Sequence, residues 1–122
     1  MAAVLIVEDD LDSREALKML VELGGYTAEV AADGRQALSM LGAGLRPAVI
    51  LLDLMLGEFS GFSFREAQLR DPAIADIPII VQSGVYDARS AAIQLGAVAY
   101  FKKPFDMTTV LGSLRGYFGG RD

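Results

Sequence analysis

The sequence predicts an α/β fold: a single domain with a doubly wound, five-stranded parallel sheet and helices on both faces. Three observations predict it. Apolar strand-like runs alternate five times with helix-like segments along the 122 residues. The run AVILL at residues 48–52 shows no polar and apolar alternation, as expected of a parallel strand buried on both faces. No linker, repeat or low-complexity tract interrupts the pattern, so residues 1–122 read as one domain.

The elements follow in order. Ala3–Val7 is the first strand. Leu11, Arg14, Leu17, Leu20, Val21 and Leu23 recur at spacings of three and four, which predicts a helix over residues 12–23 with one apolar stripe. Asp12 and Glu15 resemble a capping pair at its start, and Gly24-Gly25 ends it. Thr27–Ala31 is a second, weaker strand; Asp33-Gly34 marks a turn, and residues 36–41 form a short helix. After the third strand, residues 57–61 read as a loop and 62–69 as a helix. Asp71-Pro72 and Asp76-Ile77-Pro78 punctuate the approach to a fourth strand at 77–81. Ala88–Leu95 is helical and closed by Gly96, residues 98–101 form the fifth strand, and 106–118 the last helix.

Composition narrows the chemistry. Hydrophobic residues make up 52% and charged residues 22%, which argues against disorder. With no cysteine there is no disulfide, thiolate metal site or cysteine nucleophile. With no histidine there is no Ser-His-Asp chemistry, His-ligated zinc or phosphohistidine on this chain. A net charge of -5 argues against direct nucleic acid binding through a broad basic surface. Neither a signal peptide nor a run long enough for membrane insertion is visible, so a cytoplasmic protein is expected.

Sites in open parallel sheets form beyond the carboxyl ends of the strands. Glu8, Asp9 and Asp10 follow the first strand, Asp53 the third, Ser83 the fourth and Lys103 the fifth. Two carboxylates about 4 Å apart repel by about 4 kcal/mol at an effective dielectric constant of about 20. Protonation of one acid or a bound divalent cation offsets that repulsion. Oxygen ligands without His or Cys point to Mg²⁺, with Mn²⁺ as a substitute. A cation, a lysine and a hydroxyl together suit a phosphoryl group.

The stretches VLIVEDD, AVILLDLML, IPIIVQSG and YFKKPF, in this order along nearly the whole chain, resemble the receiver domain of two-component response regulators. The resemblance implies a flavodoxin-like (βα)5 fold. It also implies a phosphoacceptor that takes a phosphoryl group from the phosphohistidine of a sensor histidine kinase or phosphotransfer protein. By that resemblance Asp53 is the phosphoacceptor. Asp9 and, mostly through water, Glu8 hold Mg²⁺ with Asp53, and Met55 contributes its backbone carbonyl. Lys103 pairs with Asp53 and then with the phosphoryl oxygens, Ser83 donates its hydroxyl to the phosphoryl group, and Tyr100 stands at the rotameric switch position. Lys103-Pro104 matches a peptide bond usually cis in the family. Such a domain catalyses its own phosphorylation and some dephosphorylation without being a conventional turnover enzyme. Its switching face, made by the fourth helix, fifth strand and fifth helix, would serve an unknown downstream protein, the chain being a monomer or a homodimer formed through that face.

Other readings stand beside this one. Asp10 reads as a solvated neighbour or helix-entry residue. Phe59, Phe62 and Phe64 are expected to pack the loop and third helix, with Phe59 alternatively left exposed for a partner. Gly57-Glu58 replaces the family's frequent Pro-Gly, and Gly84 replaces its preferred Ala, which bears on loop mobility and partner preference. A second function class is a phosphorylation-independent docking module that keeps the acidic pocket. A third, a Mg²⁺-dependent phosphatase of a related layered fold, is disfavoured because Met55 stands where that class needs a second acid.

Overall fold

The structure, a computed structural model, describes residues 3–55, 59–84, 87–103 and 105–118. Gly57, Glu58 and Pro104, singled out in the sequence, lie outside these residues. Strands and helices alternate as β1 (Ala3–Val7), α1 (Leu11–Leu23), β2 (Thr27–Ala31), α2 (Gly34–Gly42), β3 (Val49–Asp53), α3 (Gly61–Arg70), β4 (Ile79–Ser83), α4 (Ala88–Leu95), β5 (Ala99–Lys102) and α5 (Met107–Phe118). The strands form one parallel sheet in the order β2-β1-β3-β4-β5. The chain moves outward from β1 to β2, then returns past β1 to build β3, β4 and β5. That reversal opens a crevice between β1 and β3 at their carboxyl ends.

Successive residues of each strand feed opposite layers of the core. Val4, Ile6, Val49, Leu51, Ile80 and Phe101 pack beneath α1 and α5, against Leu17, Val21, Val110 and Leu114. Leu5, Val7, Ile50, Leu52, Ile79 and Val81 pack against Ala37, Leu41, Phe64 and Ala91 of α2, α3 and α4. Because both layers are filled, β3 and β4 are buried at every position. This accounts for the uninterrupted apolar run of β3.

Several boundaries differ from the sequence expectation for physical reasons. The N-cap of α1 is Asp10, not Asp12: the Asp10 carboxylate accepts from Ser13 N at 2.9 Å, so the helix starts at Leu11. Asp10 is thus the helix-entry residue. The apolar stripe of α1 is narrower than its spacing implied, with Leu17 and Val21 buried while Leu11 and Leu23 are exposed. β4 begins two residues late, since Pro78 has no N–H to give to a ladder. It also runs on through Gln82 and Ser83, because main-chain pairing is indifferent to side-chain polarity.

α3 is set close against the end of β3. A Cβ added at Gly61 would stand 2.6 Å from Asp53 O and 2.8 Å from Leu54 Cα. Only glycine allows this approach, which holds the segment after Asp53 in place. Phe59 is half-buried, packed against the core with the Arg35 guanidinium 5.3 Å from its ring centre; Phe64 is fully buried. No helix among the described residues is long and apolar enough to cross a membrane.

Candidate functional site

Strand register brings the acids together. Val7 pairs with Leu52, so Glu8, the next residue, lies level with Asp53 at the end of β3; Asp53 in turn pairs with Gln82 of β4. One carboxylate oxygen each from Glu8, Asp9 and Asp53 lie within 4.8 Å of one another. Glu8 and Asp53 are buried, while Asp9 is exposed at the mouth. The turn carrying Glu8 is held by Arg14, whose Nη1 donates to Glu8 O at 3.1 Å, and by Asp10 N, which donates to Glu8 Oε2 at 3.2 Å.

Lys103, just past β5, reaches across the end of β4 into this group. Its Nζ donates to Asp53 Oδ2 at 2.7 Å and lies 2.6 Å from Glu8 Oε1. The contact with Glu8 is a short ion pair to a fully buried carboxylate. The other Asp53 oxygen, Oδ1, accepts from Met55 N at 3.0 Å. The backbone of Lys103 is fixed through its N–H to Ser83 O at 2.9 Å.

One ammonium therefore serves two buried carboxylates. Burial pushes Glu8 up to about 7, the neighbouring Asp53 carboxylate adds to that rise, and Lys103 offsets only part of it. Burial alone would lower Lys103, but the hydrogen bonds and charges of Asp53 and Glu8 outweigh it and hold the ammonium above its ordinary value. Glu8 is thus the acid of the group that most readily holds a proton. Three converging carboxylates, with no nitrogen or sulfur donor among them, form a donor set that fits a hard divalent cation such as Mg²⁺.

The remaining expected site residues occupy distinct places. Ser83 is the buried last residue of β4, beside Gln82. Met55 is exposed, and its main chain turns directly over Asp53. Tyr100 is exposed on β5 and pairs in register with Val81, two residues before Ser83; it does not join the acidic group. Two residues that carry the site's geometry went unassigned in the sequence. Gly61 fixes the segment after Asp53, and Gln82 lies buried next to the acid. An amide ending the apolar run IPIIV was the signal available for the second.

A family model for the response regulator receiver domain matches residues 4–115. The chain belongs to the receiver domain family. Among its relatives, response regulator MprA of Mycolicibacterium vanbaalenii is 35% identical over 114 residues, 92% of this chain and 48% of that protein. The DNA-binding dual master transcriptional regulator RpaA of Synechocystis is 32% identical over 117 residues, 94% of this chain and 48% of that protein. The chain spans about half the length of these curated relatives. Chemotaxis protein CheY4 of Vibrio cholerae superposes with a TM-score of 0.85 at 30% identity, covering 95% of this chain and 98% of that one. The receiver domain of a signal transduction histidine kinase from Syntrophus aciditrophicus gives 0.85 at 27% identity, covering 100% and 93%. This receiver domain is a signalling switch by family.

Proposed function

We propose that this receiver domain is switched by phosphorylation of Asp53. The observation that carries the reading is the buried Asp53 carboxylate with Lys103 Nζ at 2.7 Å and two further acids beside it. The donor is the phosphohistidine of a sensor histidine kinase or phosphotransfer protein in the cytoplasm. An Asp53 oxygen attacks phosphorus, the P–N bond breaks, and the imidazole nitrogen leaves with the electron pair. Bound at Glu8, Asp9, Asp53 and the Met55 carbonyl, Mg²⁺ would supply charge stabilisation for the transferring group. Lys103 holds the acceptor in place and then meets a phosphoryl oxygen. Ser83 offers its hydroxyl to another. The domain thereby accelerates its own phosphorylation and some of its dephosphorylation.

The readout follows from the sheet. Movement of Ser83 toward the phosphoryl group frees space beside β5, and Tyr100 turns inward. The face carrying the exposed Ile93, Val98, Tyr100 and Met107 is then remodelled for a downstream protein or a second copy of the chain. The net charge of -5 weighs against direct nucleic acid contact. A docking module indifferent to phosphate would have no need of the intact set Asp53, Lys103 and Ser83. Incubation with Mg²⁺ and a small phosphodonor is the test: a mass gain of about 80 Da, absent in Asp53→Asn, is expected. A wild-type chain that never gains this mass overturns the reading in favour of the docking module.

A further inference from the structure

Two buried side-chain polar atoms among the described residues have neither a hydrogen-bond partner nor an ion pair: Gln82 Nε2 and Gln82 Oε1. Buried polar groups are nearly always paired, and a site that leaves them unpaired calls for an explanation. Both belong to the strand neighbour of the acceptor. Glu8 lies level with Asp53 on its β1 side, and Gln82 pairs with Asp53 on its β4 side. All three residues occupy the α1 and α5 face of the sheet, since Ile6, Leu51 and Ile80, each two residues earlier, pack in that layer. The unpaired amide therefore stands on the β4 residue paired in register with the acceptor.

Lys103 joins this arrangement from above. It follows β5, its ammonium contacts Asp53 of β3, and β4 lies between them. Its stem passes over the end of β4, where a Cβ on Gly84 would stand 3.3 Å from Lys103 Cβ. Gln82 is the buried polar side chain of β4 on that face. An ammonium has three N–H groups. One bonds Asp53, and a second faces Glu8 by charge. The third is open to an acceptor from the strand the stem crosses.

We propose that Gln82 is a positioning residue for the phosphorylation of Asp53. Its amide oxygen accepts an N–H from Lys103 as the lysine turns from the bare carboxylates to the phosphoryl group, keeping the cation over the acceptor. This rests on the reading of Asp53 as phosphoacceptor. An apolar side chain, such as those of Ile79, Ile80 and Val81 in the same strand, would serve the core alone better than an unpaired amide.

The experiment compares the wild-type chain with Gln82→Met and Gln82→Asn, using phosphoramidate and Mg²⁺, with mass spectrometry for rate and thermal melting for stability. Methionine conserves volume and removes both amide atoms. It is expected to slow the maximal phosphorylation rate about 10-fold while the half-saturating donor concentration stays within about twofold. Its melting temperature should equal or exceed that of the wild type, which a purely structural glutamine would not give. Asparagine, which keeps an amide, should recover part of the rate. A Gln82→Met chain phosphorylated within about twofold of the wild-type rate, or one with a lowered melting temperature, overturns the assignment alone. A wild-type chain that takes no phosphoryl group overturns both the assignment and the phosphoacceptor reading.

Discussion

Lys103 Nζ donates to Asp53 Oδ2 at 2.7 Å from the far side of the intervening strand β4. The contact joins residues 50 positions apart in the chain and places the only ammonium seen at the site directly on its central acid, among the described residues. Lys103→Met keeps most of the stem and removes the charge. Phosphorylation by a small donor should fall about 100-fold or more, the usual scale for losing a preorganised electrostatic group. Mg²⁺ binding, measured by titration, should persist because the three carboxylates remain. A Lys103→Met chain phosphorylated at the wild-type rate would remove the lysine from the mechanism.

Glu8 makes stability depend on pH in an unusual window. Its carboxyl is raised from 4.5 to about 7 in the folded, metal-free chain, so between those values the folded state holds a proton that the unfolded state has lost. Stability from this group is fully present below about 4.5 and is lost as pH rises through about 7, a loss of at most about 3 kcal/mol. The capping acids Asp10, Asp87 and Asp106 are lowered by their backbone hydrogen bonds and act in the opposite sense, below the ordinary carboxylate range. Urea denaturation in EDTA should therefore show stability falling from pH 5 to pH 8. Mg²⁺ should restore it at pH 8, and Glu8→Gln should abolish the slope. An equal slope in Glu8→Gln would assign the effect elsewhere.

Gly61 is the close neighbour of the acceptor segment. A methyl group there would press into Asp53 O and Leu54 Cα, both main-chain atoms that cannot rotate away. Gly61→Ala should cost about 2 kcal/mol or more in equilibrium unfolding, in the range of overpacking substitutions. It should also slow phosphorylation by displacing Asp53. A change in stability below about 0.5 kcal/mol would show that the segment after Asp53 yields to the added methyl group.

Gln68 gives the contrast to Gln82. It is buried in α3, its Nε2 donates to Ile74 O and Ile77 O at 2.9 Å each, and its Oε1 accepts from Arg65 Nη1 at 2.9 Å. Arg65 Nε in turn donates to Leu95 O at 3.0 Å, tying the carboxyl end of α4 to α3. Gln68→Leu removes partners from all three and should cost about 3 kcal/mol, measured by denaturation. A neutral result would mean that these groups find other partners. The same residue type is thus structural where it is satisfied.

The sequence by itself determined the alternation of five strands and five helices, the strand ends on which Glu8, Asp9, Asp53, Ser83 and Lys103 stand, and the acidic, oxygen-only chemistry of the group. These follow from local periodicity and from the order of residues at strand ends, which a chain carries in its primary structure. Tertiary structure decided which oxygen faces which nitrogen. Lys103 bridges Asp53 and Glu8 because the order β1-β3-β4-β5 lays its stem over β4. It also decided that Asp10, not Asp12, starts α1, that Tyr100 stands outside the acidic group, and that Gln82 is buried without a partner. Caps, rotamers and burial depend on contacts between segments far apart in the chain, and pattern along the chain does not encode those distances.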